Sequence, residues 1–163
     1  MYIRGKGATR LIVGVYVDDL IITGGNAGAV SKFKAEMMNT FRMSDLGLLS
    51  YYLGLEVTQG ADGITLRQGA YATKILEKAG LGAYKPSATP MEMKLKLLKE
   101  GTTPNVDATK YHSIIGSLRY LCNSRPDPAF VVGYLSRFME APRQEHMAAI
   151  KHVLRYVAGT MHW

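Results

Sequence analysis

Two short β-branched runs, "LIVGVY" at residues 11–16 and "LIIT" at residues 20–23, flank Val17-Asp18-Asp19. No other feature constrains the fold as tightly. Runs this apolar favour extended backbone covered on at least one face, and the acidic residues between them supply polar turn chemistry. The segment therefore reads as an antiparallel hairpin with two carboxylates at its tip. Gly24, Gly25 and Asn26 stop the second strand. Val30, Phe33, Met37 and Phe41 then recur at three- and four-residue intervals, which predicts an amphipathic helix over 27–41 with Lys32, Lys34 and Glu36 on its other face.

The period changes in the next stretch. Leu53, Leu55 and Val57 alternate with Gly54, Glu56 and Thr58, and Ile64 and Leu66 alternate after Ala61-Asp62-Gly63, so a second hairpin is expected. Helical spacing resumes over 68–79 through Tyr71, Ile75 and Ala79, with Gly80 placed to end it. Pro86, Pro90 and Pro104 mark residues 82–109 as a boundary, in which the alternating "MEMKLKLLKE" suggests a short strand. Three helices follow at about 108–123, 127–139 and 143–158, carried by Ile114, Leu118 and Leu121, by Val131, Leu135 and Phe138, and by Met147, Ile150, Leu154 and Val157. Pro126 and Pro142 stand at the expected entries of the last two, where a missing N–H costs little. The fold class is α+β: two antiparallel hairpins and two helices, then a three-helix part. The domains read as 1–90, a connecting segment 91–107, and 108–163.

Composition narrows the partners. The 163 residues are 47% hydrophobic and 20% charged, enough to bury a core and too apolar for a solvated linker. Twenty Lys and Arg against thirteen Asp and Glu leave a formal charge of +7, which suits a phosphate backbone or an acidic membrane surface. No apolar run approaches the roughly twenty residues needed to span a bilayer, and Met1 to Arg10 lack the apolar core of a secretory signal. Cys122 is the single cysteine, so there is no intrachain disulfide and no thiolate cluster, and a reducing intracellular setting, cytoplasm or nucleus, is expected. His112, His146, His152 and His162 occur singly, without metal-ligand spacing.

Asp18 and Asp19 carry the sharpest chemistry. Adjacent carboxylates on a tight turn repel each other, and a cation would relieve that cost. Phosphoryl transfer uses hard divalent ions held by such oxygens, while a solvent-facing acidic turn is the plainer alternative.

The string "YVDDLII" at 16–22 resembles the palm motif of reverse transcriptases. "LLSYYLGLEV" at 48–57, "GITLRQGAYATKILEKAGL" at 63–81, "YHSIIGSLRYL" at 111–121, "SRPDPAFVVGYLSRFM" at 124–139 and "EHMAAIKHVLRYVAGT" at 145–160 are similar, in that order, to the Ty1/copia retrotransposon reverse transcriptase, an RNA-directed DNA polymerase. The resemblance implies that 1–90 is a partial palm-like region and 108–163 a thumb-like one. It implies that Asp18 binds the catalytic metal, Mg²⁺ or in its place Mn²⁺, with Asp19 as its neighbour. Tyr16 would lie beneath the primer end or incoming nucleotide, and Val17 would be its turn partner. Lys94, Lys96, Lys99, Lys151 and Arg155 become candidates for phosphate contacts to an RNA or DNA template-primer.

The family's other palm aspartate, on an upstream strand, has no counterpart in the ten residues before Leu11, nor do the fingers. A fragment with weak or absent metal binding, unable to polymerise alone, is the resulting expectation. An open sheet edge is expected too, covered by a second copy or a protein partner. The alternative is a host-retained module that binds nucleic acid or protein without catalysis.

Overall fold

In the computed structural model, residues 1–80 and 85–162 are described. The chain divides into two compact units, Met1–Leu49 and Ser50–Trp163.

In the first unit, β1 (Tyr2–Arg4), β2 (Leu11–Tyr16) and β3 (Asp19–Gly24) form an antiparallel sheet in that order, followed by α1 (Ala27–Thr40). The hairpin stands where the β-branched runs predict it. Its register pairs Leu11 with Gly24, Val13 with Ile22 and Tyr16 with Asp19. Because paired residues share a face, Leu11 and Val13 lie on one side, and among the described residues they alone are buried apolar side chains in this unit. A Cβ on Gly24 would lie 2.8 Å from the Arg10 carbonyl oxygen and from a Leu11 methyl, so glycine lets the strands close there. Asn26 caps α1 by accepting from the Ala29 N–H at 2.9 Å. Polar contacts do much of the fastening: Arg4 meets Glu36 at 2.7 Å and lies over the Phe33 ring, and Lys34 meets Asp45 at 2.9 Å.

Strand β1 adds to the sequence reading, which assigned no element to Met1 to Arg10. It pairs Tyr2 with Val13 and Arg4 with Leu11, so this chain itself covers the near half of the β2 edge expected to be open. The glycines and cations of the segment masked a three-residue strand whose pairing is dictated by the apolar β2 beside it.

The second unit begins with an antiparallel sheet of β4 (Tyr51–Tyr52), β5 (Leu55–Gly60) and β6 (Gly63–Arg67), then α2 (Gly69–Ala79). Gly80 ends α2 in the left-handed conformation at φ 72°, as its position predicts. Glu56 reaches from β5 to the start of α2 and accepts from the Ala70 N–H at 2.8 Å, a carboxylate placed where helix N–H groups are unpaired. The helical part is α3 (Ala108–Leu121), α4 (Ala129–Ser136) and α5 (Gln144–Gly159). Tyr111, Ile115, Leu118, Leu135, Ile150 and Leu154 are fully enclosed where these helices meet, and Ile75 and Leu76 of α2 join them. Burial of each such side chain is worth about 1.5–3 kcal/mol.

Two expectations are corrected here. "MEMKLKLLKE" forms no strand: Met91, Leu95 and Leu97 do turn toward the helical core, but the chain finds no sheet edge and breaks its extension at Lys94, φ 61°. Its backbone is satisfied by side chains instead. The Leu97 N–H donates to the Tyr134 hydroxyl at 3.0 Å, and the buried His146 donates from Nε2 to the Leu98 carbonyl at 3.0 Å. The second of the three helices is shorter than its spacing suggests. It begins after Pro128, not Pro126, and stops at Ser136, leaving Phe138 to be buried from the turn that follows.

Arg125 locks this unit. The side chain is nearly enclosed, yet its guanidinium donates to Asp127 at 2.6 Å, to the Thr160 carbonyl at 3.0 Å and to the Thr160 hydroxyl at 2.7 Å. Burial pushes the Asp127 carboxyl up, but hydrogen bonds from Arg125 and Tyr156 and the charge of Arg125 outweigh it and hold the group below its ordinary value. A carboxyl lowered on folding contributes stability above the ordinary aspartate range and loses it as pH falls through the folded value. Urea titrations of wild type and Asp127→Asn across pH 2–7 should therefore show the variant less stable at neutrality but less acid-sensitive. Arg125→Ala should cost about 2–3 kcal/mol, below the full buried-pair range because Asp127 still reaches solvent.

Candidate functional site

The β2–β3 connection is tighter than the sequence reading placed it. Tyr16 and Asp19 are the closing pair, so the turn is Val17-Asp18 alone, and Asp19 belongs to the strand. Val17 sits at φ 51°. A two-residue hairpin that follows the right-handed strand twist requires positive φ at its first central residue, and glycine or asparagine normally supplies it. A β-branched residue there is strained by about 1–3 kcal/mol, and strain of this kind collects where a side chain or backbone must be held for function.

Both carboxylates are exposed, as are Tyr16 and Val17, which are 52% and 80% accessible. Asp19 shares the sheet face of its pair partner Tyr16, opposite the face that buries Leu11 and Val13. Solvent therefore reaches both carboxylates at the tip. The hairpin projects its acids outward.

As donors, two neighbouring carboxylates suit Mg²⁺ or Mn²⁺, hard ions that take oxygen ligands and complete their shells with water and phosphate. Among the described residues, no group of three or more His, Cys, Asp or Glu gathers where it could hold a metal ion. Asp18 and Asp19 therefore stand as a pair of potential ligands.

The cationic candidates all belong to the second unit. Lys94, Lys96, Lys99 and Lys151 are exposed. Arg155 is committed differently: its Nε donates to the Lys85 carbonyl at 2.7 Å, and its own carbonyl accepts from the Ser87 N–H at 3.2 Å. Lys151 and Arg155 share one face of α5, but the guanidinium there ties a preceding segment to the helix.

The remaining singled-out groups are structural. Burial raises the Cys122 thiol, the Asp127 charge adds to this and Arg125 opposes it, so the sulfur is a poor nucleophile at neutral pH. His146 is fully buried, stacked on Phe138 with centroids 4.1 Å apart, and its Nδ1 accepts from the Arg143 N–H at 3.0 Å. The ring links α5 to the Leu98 carbonyl. His112 faces the Met139 carbonyl at 2.6 Å. Sequence reading missed Arg125 as a keystone; the signal lay in "RPDP", a cation and an anion two residues apart, each followed by a proline.

A model of the reverse transcriptase (RNA-dependent DNA polymerase) family matches residues 1–93. Over 157 residues the chain is 38% identical to the retrovirus-related Pol polyprotein from transposon RE1 of Arabidopsis thaliana, covering 96% of this chain and 11% of that protein. It is 36% identical over 159 residues to the Pol polyprotein from transposon TNT 1-94 of Nicotiana tabacum, covering 92% and 12%. With a mitochondrial protein of Arabidopsis thaliana it shares 35% over 147 residues, which is 90% of this chain and 61% of that one. No solved structure matches it.

Relief of the turn strain is measurable. Val17→Asn, which tolerates positive φ, should slow hydrogen exchange of the β2–β3 amides, corresponding to a stabilisation of up to about 1 kcal/mol.

Proposed function

The chain belongs to the reverse transcriptase family, in its copia-type branch, and from that premise we propose that it supplies the metal-facing aspartate hairpin of a polymerase palm, with Asp18 and Asp19 as ligands. It corresponds to a short stretch of a Pol polyprotein, spanning about a tenth of the length of the polyproteins it matches. In this reading residues 1–90 are palm-like, 91–107 connect, and 108–163 are thumb-like. The observation that carries it is the strained Val17 turn that thrusts the two carboxylates and Tyr16 outward. Mg²⁺, when bound, would activate the primer hydroxyl and neutralise charge on the phosphates. The protein's own contribution is positional: Asp18 and Asp19 offer oxygens at the tip, and Tyr16, paired opposite Asp19, offers an aromatic surface beside them. A two-ion clamp needs further ligands than this pair, so polymerisation requires more protein than this chain provides.

A second, non-catalytic reading is supported by the exposed Lys94, Lys96, Lys99 and Lys151 and by the +7 charge: a nucleic-acid-binding or protein-interaction module. The accessible apolar residues of the first unit, Ile3, Val15 and Phe41 among them, support a homo-oligomer or a protein partner. Cys122, a lone cysteine, supports a reducing intracellular setting, cytoplasm or nucleus. Among the described residues, no helix is long and apolar enough to cross a membrane.

Primer extension on an RNA template with Mg²⁺ or Mn²⁺ separates the readings. The chain alone should extend nothing, whereas extension that disappears in the Asp18→Asn, Asp19→Asn double variant would mean that self-assembly completes the clamp. Binding to a primed template should be detectable at low salt and fall steeply with added salt; undetectable binding would remove the nucleic-acid reading.

A further inference from the structure

The turn between β4 and β5 and the ring of Tyr120 form a feature that the aspartate hairpin does not use. Leu53 and Gly54 are both left-handed, at φ 48° and 78°, the paired requirement of a type I′ hairpin turn. The Tyr120 hydroxyl, from the last turn of α3, donates to the Leu53 carbonyl. A Cβ on Gly54 would lie 3.1 Å from that hydroxyl oxygen, so the glycine keeps the phenol from being crowded. The ring also packs edge-on against Tyr71, with centroids 5.0 Å apart and planes at 75°. Tyr120 is therefore held at its hydroxyl and against a second ring. Its freedom is lost on folding, before any ligand arrives, which lowers the cost of binding through it.

Tyr120 nevertheless stays 38% exposed, and Leu53 and Tyr51 of the adjoining hairpin are 42% and 60% exposed. Two cations belong to the elements that carry this ledge, and the carboxylate of Glu56, paired with Arg67 in the sheet, is the acid among them. Arg119, the preceding residue, and Arg67, at the end of β6, are exposed, while Glu56 is engaged by the Ala70 N–H at the start of α2. A fixed π surface with cations beside it suits a flat base on an anionic backbone, because every base has a stackable face and the phosphate finds a guanidinium.

We propose that Tyr120 is a stacking surface for an unpaired base of a single-stranded nucleic acid, with Arg119 serving the adjoining phosphate. This rests on the nucleic-acid-binding reading above, and it assigns that binding a site in the second unit apart from Asp18 and Asp19. Stacking is independent of ion release, so it should change affinity without changing the salt slope.

The test uses the intact chain, a short single-stranded DNA carrying 2-aminopurine, and the variants Tyr120→Leu and Tyr120→Phe, with thermal unfolding as a check on folding. Wild type should quench the 2-aminopurine fluorescence. Tyr120→Leu should bind about tenfold more weakly and lose the quenching, while Tyr120→Phe, which keeps the ring but not its hydroxyl anchor, should keep the quenching and bind between wild type and Tyr120→Leu. Equal binding by wild type and Tyr120→Leu overturns the ledge and leaves the nucleic-acid reading standing. Equal loss in both variants assigns the effect to the hydroxyl anchor and overturns stacking. Binding by wild type without quenching overturns it whatever the variants do. No binding by wild type at low salt overturns the nucleic-acid reading and the ledge with it.

Discussion

The guanidinium of Arg125 sets how the helices of the second unit meet. Its donors are divided between Asp127, in the same α3–α4 connection, and the carbonyl and hydroxyl of Thr160, just past α5. An enclosed cation is costly unless its hydrogen bonds are made, so the alternative packings in which α5 slides along α3 would leave that charge unmatched. Apolar contacts between Ile115, Leu118, Ile150 and Leu154 drive the helices together, but similar side chains would tolerate a range of registers. The polar cluster selects among them. Tyr111 adds a second fixed point, its buried hydroxyl donating to the Leu135 carbonyl at 2.9 Å.

The first unit is built on a different balance. Leu11 and Val13 are its buried apolar side chains among the described residues, and α1 has none. Ion pairs such as Lys34 with Asp45 fasten it from outside; the Lys34 hydrogen bond and the Gly47 N–H together hold the Asp45 carboxyl below its ordinary value. Such exposed pairs add little individually.

Much of this was legible because local chemistry and tertiary context agree. The β2–β3 hairpin, the helix capped by Asn26, the left-handed Gly80 and the apolar stripes of α3 and α5 follow from period and cap chemistry. The departures share one cause, pairing with groups distant in sequence. Strand β1 exists because β2 offers it an edge, whereas Met91 to Leu97 alternate like a strand and have no edge to join. The pair Asp18 and Asp19 could be singled out from the sequence, but not that Asp19 closes the ladder opposite Tyr16. Nor does a pattern of residues reveal that Arg155 is occupied by the Lys85 carbonyl, since a cation facing a backbone oxygen reads the same as one facing solvent.

Thin burial beneath the aspartate hairpin has a consequence for how rigidity would be acquired. A unit with so little enclosed apolar surface has a low free energy of local opening, and its amides would exchange through excursions that leave the helical unit intact. A partner that covered Val15, on the sheet face of Leu11 and Val13 and two residues from the turn, would then also narrow the conformational ensemble of the Val17–Asp18 tip. Docking and the ordering of the Asp18 and Asp19 carboxylates would become a single thermodynamic event, and any affinity of that pair for a cation would be linked to affinity for the covering surface.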